Sequence, residues 1–193
     1  MNISVAILAG GKSSRMGGKN KSFLSYHNQS FIERILLAFS DMDDILISVG
    51  KNMEDYRSLP YPLVQDEISD IGPLAGIHAC LKRCQNEHLF VCATDMPGIT
   101  SKLVAFMTEL ICADYDCFVL RSQHTVEPLC AIYTKRLIPL IDKLIEEKRY
   151  SPRAILDCAK VKYISLDHSP FDKSVVANIN DISDFHQLNK DAE

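Results

Sequence analysis

Residues 3–24 read ISVAILAGGKSSRMGGKNKSFL. Ile3 to Leu8 form an apolar run without clean alternation, which predicts a strand buried on both faces. The run ends at Gly10-Gly11 and gives way to a polar loop, to about Lys21, that carries Lys12, Arg15, Lys19 and Lys21 and no acidic residue. A buried strand opening into a glycine-rich basic loop lets backbone N–H groups and cations reach a phosphate. Glycine at 10 and 11 removes the Cβ atoms that would hold a ligand away. Arg15 offers a planar fork and Lys21 a point charge. The loop has neither the Walker A spacing nor GxGxxG, and by spacing alone a solvated basic turn fits as well.

The rest of the composition is consistent with a small anionic ligand. The chain has 193 residues, 47% hydrophobic and 24% charged, with a net charge of −4. That supports a sizeable core and one domain, residues 1–193. A pI near 5.9 argues against nucleic acid as a partner, which needs a basic face; the cations gather in the first loop instead. The N-terminus lacks a basic n-region, and no run approaches the ~18 apolar residues of a membrane span. A cytoplasmic protein with no membrane partner is expected. The 7 cysteines show no CxxC and no Cys/His zinc spacing. Most lie in apolar runs, as reduced core thiols do.

Downstream, Ser30 and Glu33 form a capping box opening a helix whose Ile32, Ile35, Leu36 and Phe39 share a face. Strands are predicted at Ile45–Val49, from Leu63-Val64 to Asp66, at His88–Cys92, Asp116–Leu120, Leu129–Tyr133 and Val161–Leu166, with Val175–Ile179 also extended. Helices are predicted after Gly72-Pro73, where proline suits the first helical position. Others are expected over Ser101–Ala113, Leu137–Glu146, Pro152–Cys158 and Ile182–Leu188. This alternation predicts a three-layer α/β fold, a mainly parallel sheet with helices on both faces. Ligands then bind beyond the carboxyl ends of strands, which selects the loop after Leu8, Asp66 and Asp95.

Asp95, two residues before Pro97, is a rigidly presented hard oxygen suited to Mg²⁺, which takes one or two carboxylates and completes its shell with water and phosphate. A turn or helix cap before Pro97 is the alternative. Asp66 reads as a turn former as readily as a ligand. Asn178 and Asn180 equally fit Asx turns or an N-cap before Ile182. The histidines have no metal-binding spacing, and Ser13 and Ser14 lack a triad arrangement. His124–Pro128 is expected to be a loop, and sequence supplies no role for it.

Leu8–Gly17, LAGGKSSRMG, followed by Lys21, resembles the LAGGxSxRMGxxK signature of nucleotidyltransferases and, more narrowly, of the molybdenum cofactor guanylyltransferases. Gly72–Gly76 matches the family's GPLAG segment, Thr94–Pro97 its (C/T)DxP segment, and Asn178–Asn180 its NxN motif, so the resemblance runs from residue 3 to 182. It implies a Rossmann-like nucleotidyltransferase fold that transfers GMP from GTP to molybdopterin and releases pyrophosphate. By the same resemblance the catalytic residues are Arg15, Lys21 and Asp95, with Mg²⁺ on Asp95. Nucleotide contacts come from Leu8, Ala9, Gly10, Gly11, Lys21, Asp66 and Asp95, Gly10 and Gly11 acting as backbone donors, while Asn178 and Asn180 face molybdopterin. Other cofactor-synthesis proteins and target molybdoenzymes are the implied partners. Where the family often carries a nucleotide-contacting asparagine, the place falls at Ser48, with Asn52 nearby; a hydroxyl cannot reproduce an amide's paired donor and acceptor. Two other readings stay open: a CTP-dependent relative or one acting on another phosphorylated acceptor, and a nucleotide-binding chain without catalysis. Gly10-Gly11, where cytidylyl relatives tend to carry Ala-Gly, favours GTP.

Overall fold

The alternation along Ser4–Leu8 decides the layers. Val5 and Ile7 join one buried cluster and Ala6 and Leu8 another, so this strand needs a helix layer on each side. The structure is a computed structural model describing residues 2–10, 15–16, 19–23, 25–26, 29–50, 53–68, 70–122, 125–179 and 184. In chain order the elements begin with β1 (Ser4–Leu8), two short antiparallel pairs, β2 (Arg15–Met16) with β3 (Lys19–Asn20) and β4 (Ser25–Tyr26) with β5 (Gln29–Ser30), and α1 (Phe31–Ala38). They continue through β6 (Ile45–Ser48), α2 (Met53–Tyr56), β7 (Leu63–Val64), α3 (Pro73–Arg83), β8 (His88–Ala93) and α4 (Ser101–Glu109). Then follow β9 (Cys117–Arg121), β10 (Val126–Thr134), α5 (Ile138–Glu146), α6 (Pro152–Cys158) and β11 (Val161–Ser165).

The main sheet has seven strands in the order β11-β9-β10-β8-β1-β6-β7. All neighbouring pairs are parallel except those of β10, which runs against both β8 and β9. One face buries Ile32, Ile35 and Phe39 of the α1 region and Leu103, Val104 and Met107 of α4. The other buries Leu74, Ile77 and Leu81 of α3, Ile141 and Leu144 of α5, and Ile155 of α6. The three-layer, mainly parallel architecture predicted from the sequence is the observed one.

Local chemistry starts the helices where expected. Ser30 Oγ accepts from the Glu33 amide at 3.3 Å while Glu33 Oε2 accepts from the Ser30 amide at 2.7 Å, satisfying donors that α1 itself cannot pair. Pro73 opens α3 directly after Gly72, whose φ of 74° and ψ of −157° suit glycine.

Three expectations need correction. Val175–Ile179 is not a strand: Asp172 Oδ1 accepts from the Ser174 amide at 2.8 Å and starts a 3₁₀ turn over Lys173–Val176, a local alternative to sheet pairing. The helix from Ser101 closes at Glu109 rather than Ala113, as the Leu110 and Ile111 amides turn back to the Met107 and Thr108 carbonyls. Val126–Pro128 belong to β10, whose register on β9 shifts between Glu127 and Ala131; pairing with β9 extends what the sequence read as a loop. The expected helix Ile182–Leu188 lies, apart from residue 184, outside the described residues.

Candidate active site

β7, β6, β1 and β8 lie side by side and parallel, so their carboxyl ends share one edge of the sheet. The chain leaves β1 for β6 and β7 on one side and returns to β8 on the other, which makes the end of β1 a switch point where α/β sheets open a crevice. Leu8 and Ala9 are buried there. A Cβ on Gly10 would stand 2.8 Å from the Gly50 amide nitrogen, so glycine is needed for the two loops to close together. The Gly10 amide corrects the sequence reading: with that of Ala9 it donates to the Ser48 carbonyl, at 3.0 and 2.8 Å, and is therefore already committed. Gly10 contributes close approach, and Gly11 lies outside the described residues.

Asp66 follows β7 on the same edge. Its Oδ1 accepts from Ser48 Oγ at 3.4 Å. Burial pushes the Asp66 carboxyl above its usual range, and the Ser48 hydrogen bond opposes that rise. Gly50, with φ of 54°, turns beside it: a Cβ there would lie 3.6 Å from Asp66 Oδ2. In the first turn of α3, a Cβ on Gly76 would come within 2.5 Å of Ser48 Oγ. Ser48 itself is buried, its hydroxyl used on the carboxylate beside it.

Lys21 begins a 3₁₀ turn, Lys21–Phe23, whose Lys21 and Ser22 meet the two residues that follow β8. Its side chain is 8% exposed, and Nζ lies 3.5 Å from Asp95 Oδ2, on a side chain 30% exposed. A tight ammonium–carboxylate contact is about 2.8 Å, so this pair is adjacent without being saturated. Asp95 Oδ1 is buried and has no hydrogen-bond partner among the described residues. Such an acceptor costs free energy unless something outside the chain completes it. The backbone at Asp95 is held firmly: Thr94 N donates to Leu8 O at 3.2 Å and Ile179 N to Asp95 O at 2.8 Å. Among the described residues no group of three or more His, Cys, Asp or Glu could hold a metal ion. The donor set, one hard carboxylate oxygen with a lysine beside it, fits a divalent cation that arrives on phosphates, as Mg²⁺ does.

A buried tyrosine that sequence reasoning missed joins these parts. Tyr56, the last residue of α2, is 0% exposed. Its hydroxyl donates to the Ala9 carbonyl at 2.9 Å and lies 2.8 Å from Ser22 Oγ. Asn20 Nδ2 donates to it at 3.0 Å, and Asn20 Oδ1 accepts from the Ser22 amide at 3.1 Å. Ser22 Oγ reaches Thr94 Oγ1 at 3.3 Å. Only the polar residues on either side of Lys21 hinted at this, and nothing in sequence pairs them with position 56.

Residues 5–163 match the family model described as the MobA-like NTP transferase domain. The chain belongs to that family. It is 36% identical to a protein of Clostridium perfringens named a probable molybdenum cofactor guanylyltransferase, with 98% of each chain covered. It is 31% identical to the molybdenum cofactor guanylyltransferase of Syntrophotalea carbinolica, over 95% of this chain and 89% of that one. The crystal structure of molybdopterin-guanine dinucleotide biosynthesis protein A from Archaeoglobus fulgidus superposes with a TM-score of 0.84 at 22% identity, covering 98% of both chains, which speaks to the fold.

This MobA-like chain is therefore a nucleotidyltransferase, and its fold gathers the expected Leu8, Ala9, Gly10, Lys21, Asp66 and Asp95 at one sheet edge. The Arg15 backbone pairs with that of Asn20 where β2 runs antiparallel to β3. Asn178 is exposed, next to the Ile179 amide that holds Asp95. Asn180 and Asn52 lie outside the described residues.

Proposed function

We propose that the chain, as a single nucleotidyltransferase domain, transfers GMP from GTP to molybdopterin and releases pyrophosphate. An oxygen of the molybdopterin phosphate forms the new bond to the α-phosphorus, and the bond from that phosphorus to the β-phosphate bridge oxygen breaks. The attacking phosphate is already anionic at neutral pH, so no general base is needed. The chain's task is to bring two anions together and offset charge on the transferring group, by positioning and electrostatics.

In this reading Lys21 and Arg15 neutralise phosphate oxygens, and Gly11 offers a backbone donor. Leu8, Ala9 and Gly10 let the nucleotide approach β1, and Asp66 binds it on the β6–β7 side. Asn178 and Asn180 face molybdopterin. Asp95 would hold a divalent cation, Mg²⁺ in this proposal, which would supply charge neutralisation for the phosphates. Partners beyond the substrates are cofactor-synthesis proteins and molybdoenzymes, in the cytoplasm; among the described residues no helix is long and apolar enough to cross a membrane.

The observation that carries the reading is the buried Asp95 Oδ1, without a hydrogen-bond partner among the described residues, with Lys21 beside its other oxygen, in a chain similar over nearly its whole length to named guanylyltransferases. The test is pyrophosphate release with GTP or CTP, with and without molybdopterin, and with Mg²⁺ present or chelated. Release that needs GTP, molybdopterin and Mg²⁺ together supports the proposal. Release with CTP in place of GTP, or none with any nucleotide, refutes it.

A further inference from the structure

The Tyr56 hydroxyl bonds to the residues flanking Lys21 on both sides, Asn20 and Ser22. A carbonyl oxygen can only accept, so the single Tyr56 proton is committed to Ala9 O, 2.9 Å away. The hydroxyl oxygen accepts from Asn20 Nδ2 at 3.0 Å, and Ser22 Oγ lies 2.8 Å from it. Ser22 Oγ in turn donates to Thr94 Oγ1 at 3.3 Å. The Asn20 amide closes the set, giving its second donor to Asp55 Oδ2 at 3.0 Å. One buried hydroxyl thus ties the residue where the loop leaves β1, the two residues flanking Lys21, and, through Ser22, the residue preceding Asp95. The Phe23 ring, 5.0 Å from the Tyr56 ring between centroids, packs the same turn down.

We propose that Tyr56 is a positioning residue for the transfer reaction, acting through Lys21: it sets the ammonium against Asp95 and closes the two ends of the phosphate loop. This rests on the reading of Lys21 as a phosphate-neutralising group. A buried hydroxyl with only a structural role would lower stability and leave the Lys21-dependent part of catalysis alone. A positioning role instead makes the two side chains non-additive.

The test is a double-mutant cycle with Tyr56→Phe, Lys21→Ala and their combination, read as kcat and KM for GTP in pyrophosphate release. Tyr133→Phe is the control, because Tyr133 is as deeply buried and its hydroxyl likewise donates to a carbonyl, Pro128 O at 2.7 Å, away from the loop. Tyr56→Phe is expected to lower kcat by roughly 10-fold, since sub-ångström misplacement of a charged group is costly. It should add no further loss once Lys21 is alanine. Tyr133→Phe is expected to lower the unfolding midpoint without changing kcat. Without any substrate, amide exchange over residues 20–22 should quicken in Tyr56→Phe while that of β8 stays as in the parent.

Wild-type kcat in Tyr56→Phe, an equal loss in both Lys21 backgrounds, or unchanged exchange over 20–22 overturns the proposal. If Lys21→Ala turns over like the parent, the reading of the site fails as well; if Lys21→Ala is impaired and Tyr56→Phe is not, only the role of Tyr56 fails. Should Tyr56→Phe not fold, Ser22→Ala removes the hydroxyl joining Tyr56 to Thr94. It goes through the same cycle with the same expected and overturning results.

Discussion

Asp66 is a carboxylate held in a buried environment beside Ser48. Burial raises its carboxyl pKa, so the folded chain binds that proton more readily than the unfolded chain. Stability is gained as pH falls through the raised value and lost as pH rises through it. Asp66→Asn is therefore expected to be more stable than the parent at pH 7, the difference narrowing as pH falls toward the ordinary carboxylate value of about 3.9. Unfolding midpoints of both proteins across that range check it; a variant less stable at pH 7 would contradict it. Lys21→Ala and Asp95→Ala should behave differently. Each is expected to lower turnover about 10²-fold, or ~3 kcal/mol, with the fold kept. Pyrophosphate-release kinetics and circular dichroism test them, and near-parental turnover in both would remove them from the catalytic roles.

At the scale of elements, the join between β7 and α3 sets where Asp66 stands relative to β6. Gly72 has open space around a would-be Cβ, yet its φ of 74° is one that side chains rarely adopt. Gly72→Ala should thus cost about 1–3 kcal/mol through backbone strain alone, read from denaturant midpoints at unchanged m-value. Gly76 is the opposite case: its φ is ordinary, and the clash with Ser48 Oγ at 2.5 Å is what requires glycine. Helix starts were legible in sequence because caps are local: Ser30 with Glu33, and Gly72 with Pro73, meet their partners within a few residues. The segment Val175–Ile179 was misread for the same reason in reverse. Its apolar residues suggested an extended run, and the local bond from Ser174 to Asp172, with Val175 against Gly98, drew Val175 and Val176 into a 3₁₀ turn.

For the whole molecule, the thiols report how completely the sheet is enclosed. Cys80, Cys84, Cys92, Cys117 and Cys130 are buried, Cys112 is half-buried and Cys158 exposed. Burial pushes the core thiols up, Cys117 to about 12, so they present almost no thiolate near neutral pH. Alkylation of the native chain at pH 8 is expected to modify Cys158 and, more slowly, Cys112. The other five should react only as fast as the molecule unfolds globally, and mass spectrometry along a denaturant series checks it. Rapid labelling of Cys92 or Cys130 in the native state would mean that β8 and β10 open locally, beside Asp95.

Local pattern was enough for the strand and helix alternation, the buried β1 and β8, and the carboxylates just beyond β7 and β8. Burial periodicity, caps and motif spacing act over a few residues and need no knowledge of distant partners. The antiparallel course of β10 comes from its long-range pairing with β8 and β9, since a strand buried on both faces reads alike in either direction. The tertiary structure alone also showed that the Gly10 amide belongs to Ser48, and that Tyr56 holds the turn around Lys21. Hydrogen bonds between residues 9, 22, 56 and 94 depend on where folding brings the chain, and no local pattern encodes which donor meets which acceptor.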